Sequence, residues 1–409
     1  MKKNFLILGG SVGQVPAIEK AQAFGMHAVV VSNDPSCIGA SKADYFECVD
    51  VTDFRKVERV ARKYKVVGSM TMSNDLAVPT SCYVNEKLNL PMQGEGLIHV
   101  VADKYEMRKK FAAHQMFTPP FYKISHPIDL IKVKSQLQVA IQTKNYIVKP
   151  TDSSGSRGIS KVTNITELDQ AVQYAMPFSP SGNVIVEEFV EGFEFGALSF
   201  SVDGEMVYCF LHNDKVKQMV QIGHSFPSLL SKDQVKRVKS ECEKALTSLG
   251  IQNGPCHFDI MMTADGTPFI IEIGARLAAH QIPELIKLHS GIDLVSLTVQ
   301  LASGQKPKCP SITETKAVAV QFIHFDENGI LKKIGDLSPL HQKYQPADFA
   351  LKLSENQEIS KLQSSIDHCG HVICTGNNVK EAEGKCQQFI HELKSNVVCF
   401  NVEKEERIG

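Results

Sequence analysis

The 409-residue chain has no apolar run approaching the roughly 20 residues that a membrane helix needs. Its apolar stretches, such as "FLILGG" near the start and "HAVVVS" from His27, are of strand length. "MKKNFLILGG" sets two lysines before an apolar run, as a secretory leader would. Glycines break that run after four residues and no cleavage-like site follows, so a first β-strand is the expectation. A surplus of charge is also missing: 44 Lys and Arg meet 45 Asp and Glu, with no long basic run. Neither a membrane nor a nucleic-acid partner is therefore expected. The eleven cysteines include no C-x-x-C pair and read as reduced thiols of a cytoplasmic protein, packed as small apolar groups. "HCGHVIC" (368–374) crowds two His and two Cys together, but strand alternation would send neighbours to opposite faces. It is expected to be a core strand.

Two nucleotide signatures are absent as well. No G-x-x-x-x-G-K-[ST] exists, which excludes a P-loop NTPase. The first turn, "GGSVGQ", has glycines at 9, 10 and 13 rather than in G-x-G-x-x-G. Asp34 stands where a ribose-binding acid could sit, but a single acid does not make a nicotinamide site. There is no internal repeat and no low-complexity tract.

What is present begins as alternating strand and helix. "FLILGG", "HAVVVSND" and "VVGSMTMSND" read as strands. "VPAIEKAQAFG" reads as a helix with Pro16 near its start and Gly25 at its stop, and "DFRKVERVARKYK" carries Phe54, Val57, Val60 and Ala61 on one stripe. The class is α/β, opening with a doubly wound, Rossmann-like unit. From about residue 104 the texture changes to a helix "DKYEMRKKFAAHQM", a rigid "TPPF", then "YIVKP", "VIVEEFVEGFEFGALSFSVDG" and a charged helix "SKDQVKRVKSECEKALTSLG". "CHFDIMMTADGTPFIIEIGARL" reads as two strands joined by the turn "ADGT". "ASGQKPKCP" is a Pro-rich joint, followed by a last α+β segment of about a hundred residues.

The chemistry gathers on those strands. Antiparallel pairing would set Asp259 beside Glu272, and two facing carboxylates need a cation; oxygen-only ligands suit Mg²⁺. Arg276, four residues on, could place a guanidinium against phosphate oxygens. Lys149 follows "YIV", Lys104 opens a helix after Asp103, and Glu187, Glu188 and Glu194 form an acidic hinge. "KPTDSSGSRGIS" between them could be a linker or a flap. Lying inside one domain, after an apolar strand and before the hinge, it reads as a flap whose glycines let backbone N–H groups approach phosphate. Each residue alone is an ordinary surface charge; in this order they make a nucleoside-triphosphate site.

The order and spacing of "ADKYEMRKKF", "VKPTDSSGSRGI", "VEEFVEGFEF", "HFDIMMTADGTPFIIEIGAR" and "IPELIKLHSGIDL" resemble the ATP-grasp superfamily. Within it they look like the carboxylate–amine branch that includes L-amino-acid ligases, similar also to biotin carboxylase and carbamoyl phosphate synthetase modules. The resemblance covers nearly the whole chain. It implies a Rossmann-like pre-ATP-grasp domain over 1–103, an ATP-grasp domain over 104–305 with a lid subdomain at about 119–190, and a small C-terminal lobe over 306–409. It implies that Lys104 and Lys149 contact ATP phosphates, and that Ser153, Ser154, Gly155, Ser156 and Gly158 fold over them. Glu187, Glu188, Phe189 and Val190 would read adenine and Glu194 the ribose. Asp259 and Glu272 would hold Mg²⁺, or Mn²⁺ in its place, and Arg276 would act with Lys149 on the transferred phosphoryl group. His224 and His280 would face the substrate, to bind a carboxylate or serve as a base, beside the equal reading of ordinary polar histidines.

The implied activity is an ATP-dependent ligase joining a small-molecule carboxylate, an amino acid, to an amine. Two alternatives stay open: a carboxylase working through carboxyphosphate, and a non-catalytic nucleotide-binding protein. A homodimer is compatible with the resemblance. Two departures stand out. Relatives with E-x-N-x-R have Asn where this chain has Gly274, and paired glycines after the arginine are replaced by Ala278 and Ala279. Methyl groups at those two positions would narrow the substrate pocket.

Overall fold

A computed structural model describes residues 2–92, 96–155, 157–218, 220–313 and 315–402, with backbone only over 396–402. It divides into two compact units, one of Met1–Phe210, Leu230–Ala279 and Asp293–Pro310, the other of Leu211–Leu229, His280–Ile292 and Ser311–Gly409. The strand Glu205–Lys217 passes from the first into the second. Among the described residues no helix is long and apolar enough to cross a membrane.

The first unit opens with a four-stranded parallel sheet in the order Tyr45–Cys48, His27–Ser32, Asn4–Leu8, Val66–Met70. Helices cover both faces, so the central strands are continuous apolar runs: Phe5 to Leu8 and Ala28 to Val31 are buried. Asp53 caps the helix Phe54–Tyr64 by accepting from the Lys56 amide. The glycines of "GGSVGQ" serve close packing. A Cβ on Gly13 would lie 2.9 Å from the Ser73 Cβ, and one on Gly39 would lie 2.7 Å from the Gly10 Cα.

Next comes a four-stranded antiparallel sheet in the order Phe121–Ile124, Val184–Glu188, Tyr146–Pro150, Ser160–Val162. Helices Pro127–Leu137 and Leu168–Ala175 close its own core around Ile124, Leu137, Tyr146, Val148, Leu168 and Val186. The unit's third sheet runs Pro268–Gly274, Gly254–Met262, Phe193–Val202 and the start of Glu205–Lys217. The charged segment forms the helix Lys232–Leu249, opened by a Ser231/Gln234 capping box and closed by Gly250 in the left-handed region.

In the second unit the end of Glu205–Lys217 is followed in an antiparallel sheet by Val220–Phe226, Ala317–Ile323, Gly370–Gly376 and Asp348–Leu351. "HCGHVIC" supplies the Gly370–Gly376 strand, with Val372, Ile373 and Cys374 fully buried. Helix Val379–Glu392 packs on this sheet through Ala382, Cys386 and Phe389. Gly329–Ile334, Glu358–Ile359 and Val398–Val402 form a separate small sheet.

Candidate active site

Asp259 and Glu272 are direct register partners on the antiparallel strands Gly254–Met262 and Pro268–Gly274. They therefore point to one face, and a bulge follows immediately after Asp259. Both side chains are about one-third exposed, at 32% and 31%, so the carboxylates open onto accessible space. His257 lies two residues before Asp259 on the same face, its Nδ1 3.8 Å from Asp259 Oδ1. An oxygen-only pair of half-open carboxylates is a donor set that fits Mg²⁺.

Lys104 is the first residue of the helix Lys104–Ala113, whose cap Asp103 accepts from the amides of Tyr105 and Glu106. Its Nζ lies 2.8 Å from Glu272 Oε1 and donates to the Ser153 carbonyl at 2.7 Å. The Lys104 amide also donates to the Thr151 carbonyl. One lysine thus ties the flap to the carboxylate pair. Burial lowers its pKa, but Glu272, Asp75 and Glu187 outweigh that and leave it raised.

One turn further along the same helix face stands Arg108, which sequence reasoning passed over. An i, i+4 spacing from Lys104 was the available signal. Arg108 is 1% exposed. Its Nε donates to Glu187 Oε2 at 2.9 Å, and its remaining nitrogens donate to the carbonyls of Ile270 and Ile271 at 2.9 and 2.6 Å. Lys149 Nζ reaches the other oxygen of Glu187 at 2.8 Å. Burial pushes the Glu187 carboxyl up; Arg108 and Lys149 overcome this and hold it at about 2. Burial lowers the Lys149 ammonium, Glu187 raises it and Arg108 lowers it further, leaving it below its ordinary value. Glu187 thus carries a buried ion triad within its strand.

Glu188 is not brought to this group. Strand alternation turns it to the opposite face, where it pairs with Lys144 at 2.7 Å. Phe189 donates its amide to the Asn145 carbonyl, and Lys161 Nζ lies 4.1 Å from its ring centre. Val190 is half-buried, and Glu194 lies opposite Met261 in register. Gly192 must be glycine: a Cβ there would lie 2.1 Å from the Met262 carbonyl oxygen.

In the flap, Gly155 and Gly158 both take left-handed φ values, +69° and +72°. Arg157 Nε donates to the Ser154 carbonyl at 3.1 Å. The Ser153 hydroxyl is buried and has no hydrogen-bond partner among the described residues. Ser156 lies outside the described residues.

Arg276 is held by a residue 201 positions earlier: its Nε and Nη2 donate to the two oxygens of Asp75, both at 2.8 Å. Burial lowers the guanidinium's pKa, while Asp75, and then Asp259 and Glu272, raise it above its ordinary value. Nothing local in the sequence joins positions 75 and 276.

His224 and His280 belong to the second unit and come together there, their rings stacked at 5.6 Å and 21°. His224 is 2% exposed and its Nδ1 lies 2.6 Å from Asp214 Oδ1, which His212 Nδ1 also reaches at 2.7 Å. Among the described residues this His–Asp–His trio is the one group of three or more metal-ligating side chains close enough to share an ion. Its spacing is that of hydrogen bonds. Burial lowers the His224 pKa, and the Asp214 carboxylate only partly restores it. His280 and Gln281 both take left-handed φ, +56° and +62°, a strain that non-glycine residues rarely bear in succession.

Residues 101–280 match the family model described as an ATP-grasp domain. Over 96% of this chain and 94% of its own length, phosphoribosylamine–glycine ligase of Methanococcus maripaludis is 24% identical. The fold is similar to that of an L-amino acid ligase from Bacillus licheniformis, with a TM-score of 0.79 at 20% identity, covering 98% of this chain and 99% of the other. It is also similar to the biotin carboxylase domain of Hydrogenobacter thermophilus 2-oxoglutarate carboxylase, with a TM-score of 0.77 at 15% identity over 98% and 92% of the two chains.

Proposed function

We propose that this chain, whose residues 101–280 match the model of an ATP-grasp domain, is an ATP-dependent ligase that activates a carboxylate as an acyl phosphate and joins it to an amine. The observation that carries the reading is the facing pair Asp259–Glu272, with Lys104 on one carboxylate and Arg276 close enough to feel both. A phosphoryl-transfer site needs this mixture: acids for a metal and cations for the charge that develops on oxygen.

In the reaction a carboxylate oxygen attacks the γ-phosphorus in line, and the bond to the β-bridging oxygen breaks to release ADP. The amine, having lost a proton from its ammonium form, attacks the acyl carbon. The C–O bond to phosphate breaks, phosphate leaves, and a second proton is lost from nitrogen to give the amide. Lys104 and Lys149 contact the phosphates, and Arg276 binds the transferring phosphoryl group. Residues 153–158 supply backbone N–H groups over the β- and γ-oxygens. The strand end at Val190 offers its backbone to adenine, and Glu194 its carboxylate to the ribose. Asp259 and Glu272 would hold Mg²⁺, which when bound neutralises the β,γ-oxygens.

Amino acids are the substrates we favour, since the glycine ligase and the L-amino acid ligase to which the chain is similar are named for them. A matrix of amino-acid pairs in a coupled ADP-release assay tests this. Release should require both partners and yield a dipeptide or amide mass. Release driven by bicarbonate alone would replace the reading with carboxyphosphate chemistry.

A further inference from the structure

We propose that Asp75 is the positioning residue of Arg276, and that position 274 is glycine because the Asp75 carboxylate fills the space a side chain there would need. The proposal rests on the ligase reading for what Arg276 does, and on geometry alone for what Asp75 does to it.

The guanidinium is gripped side-on, through Nε and Nη2, by both oxygens of Asp75 at 2.8 Å, which fixes its plane as well as its position. A Cβ built on Gly274 would lie 2.9 Å from Asp75 Oδ1 and 3.3 Å from Arg276 Cζ. The glycine that departs from E-x-N-x-R therefore accommodates a carboxylate arriving from the chain's first hundred residues.

The loop that delivers Asp75 is itself built for the purpose. Met72 forms a parallel bridge with Leu277, the Ser73 amide donates to the Leu277 carbonyl at 3.1 Å, and the Ser73 hydroxyl donates to the Ala278 carbonyl at 3.4 Å. Ser73 takes φ +58°, a left-handed conformation held by these flanking bonds. From the other side, Gln14 is 2% exposed and donates to the Met72 carbonyl while accepting from the amide and hydroxyl of Ser11. "GGSVGQ" is thus the buttress of the loop that orients Arg276. Asp75 is buttressed through Gln14 and zipped to the strand end it serves.

Burial pushes the Asp75 carboxyl up, and Arg276, with Lys104 behind it, brings it below its ordinary value, so it is ionised at neutral pH. Charge and bidentate geometry are both available to orient the cation in the free enzyme.

The test compares Asp75→Asn, Asp75→Glu and Gly274→Ala in the full chain with two readouts. For ADP release, Asp75→Asn should lower kcat by up to about 10²-fold with KM for ATP little changed. Gly274→Ala should act in the same direction, and the double variant should be no worse than Asp75→Asn alone, because both remove one interaction. The second readout needs no turnover: phenylglyoxal modification of Arg276, followed by peptide mass spectrometry, should accelerate several-fold once the carboxylate clamp is lost, roughly as the freed fraction of guanidinium rises. If the wild type releases no ADP with any carboxylate–amine pair, the ligase reading fails while the modification rate still judges Asp75. An unchanged modification rate, or additive losses in the double variant, overturns the proposal even in an active ligase. Should Asp75→Asn fail to fold, Gly274→Ala and Asp75→Glu carry both readouts.

Discussion

Lys104 and Glu272 form a 2.8 Å ion pair in which the lysine also holds the flap through the Ser153 carbonyl. One carboxylate is thus neutralised in the free protein while its register partner Asp259 stays half-open to solvent. On the ligase reading we propose, binding of MgATP would exchange both partners, giving phosphate to the lysine and metal to the acid.

From this exchange Glu272→Ala should reduce ADP release on the order of 10²-fold or more. Asp259→Asn should raise the Mg²⁺ concentration needed for half-maximal rate. A steady-state Mg²⁺ titration of both variants checks this, and full activity of Glu272→Ala would remove the metal assignment.

The triad of Arg108, Glu187 and Lys149 is a stability device as well as a site feature. Glu187→Gln leaves two buried cations without their shared anion and should cost about 3–5 kcal/mol. Urea denaturation should show a lower midpoint with little change in slope. Arg108→Met should act in the same direction, since it removes the bonds to the Ile270 and Ile271 carbonyls as well.

The same carboxyl gives an acid-side prediction. Its folded-state pKa of about 2 lies below the ordinary 4.5, so its contribution is complete above pH 4.5 and is lost as pH falls through 2. The loss should approach about 3 kcal/mol. Stability measured against pH should fall less steeply on the acid side in Glu187→Gln than in the wild type.

Two flap glycines separate conformation from packing. Gly155 has φ +69° and open space around a Cβ, so Gly155→Ala should cost about 1 kcal/mol from backbone strain alone. Gly158 has φ +72°, and a Cβ there would lie 2.8 Å from Phe178 and 2.9 Å from Pro150. Gly158→Ala should cost more, roughly 2–4 kcal/mol when the overpacking is added. Thermal unfolding of the two variants side by side gives the comparison.

Much of this was legible along the chain because the signals are local. The apolar runs at Phe5 and Ala28 could only be covered strands, and "ADGT" fixed the hairpin that makes Asp259 and Glu272 neighbours. What stayed hidden is long-range. Arg108 reads as one more basic residue of a helix until its partner 79 positions on is known, and Asp75 reads as a turn residue until Arg276 arrives beside it. "VIVEEFVEG" suggested a hinge beyond the strand, yet pairing continues to Glu188, so alternation sends Glu187 inward and Glu188 to Lys144. A glycine whose neighbour arrives from a distant stretch of the chain, as at 274, carries no local mark of its reason.

The central claim, phosphoryl transfer to a carboxylate, is tested most directly by following oxygen. An amino acid labelled with ¹⁸O in its carboxyl group is turned over with ATP and an amine partner, and the released phosphate is analysed by mass spectrometry or ³¹P NMR. Attack by the carboxylate on the γ-phosphorus predicts that each phosphate carries a single oxygen from the substrate. Unlabelled phosphate, released at the same rate as ADP, would contradict it.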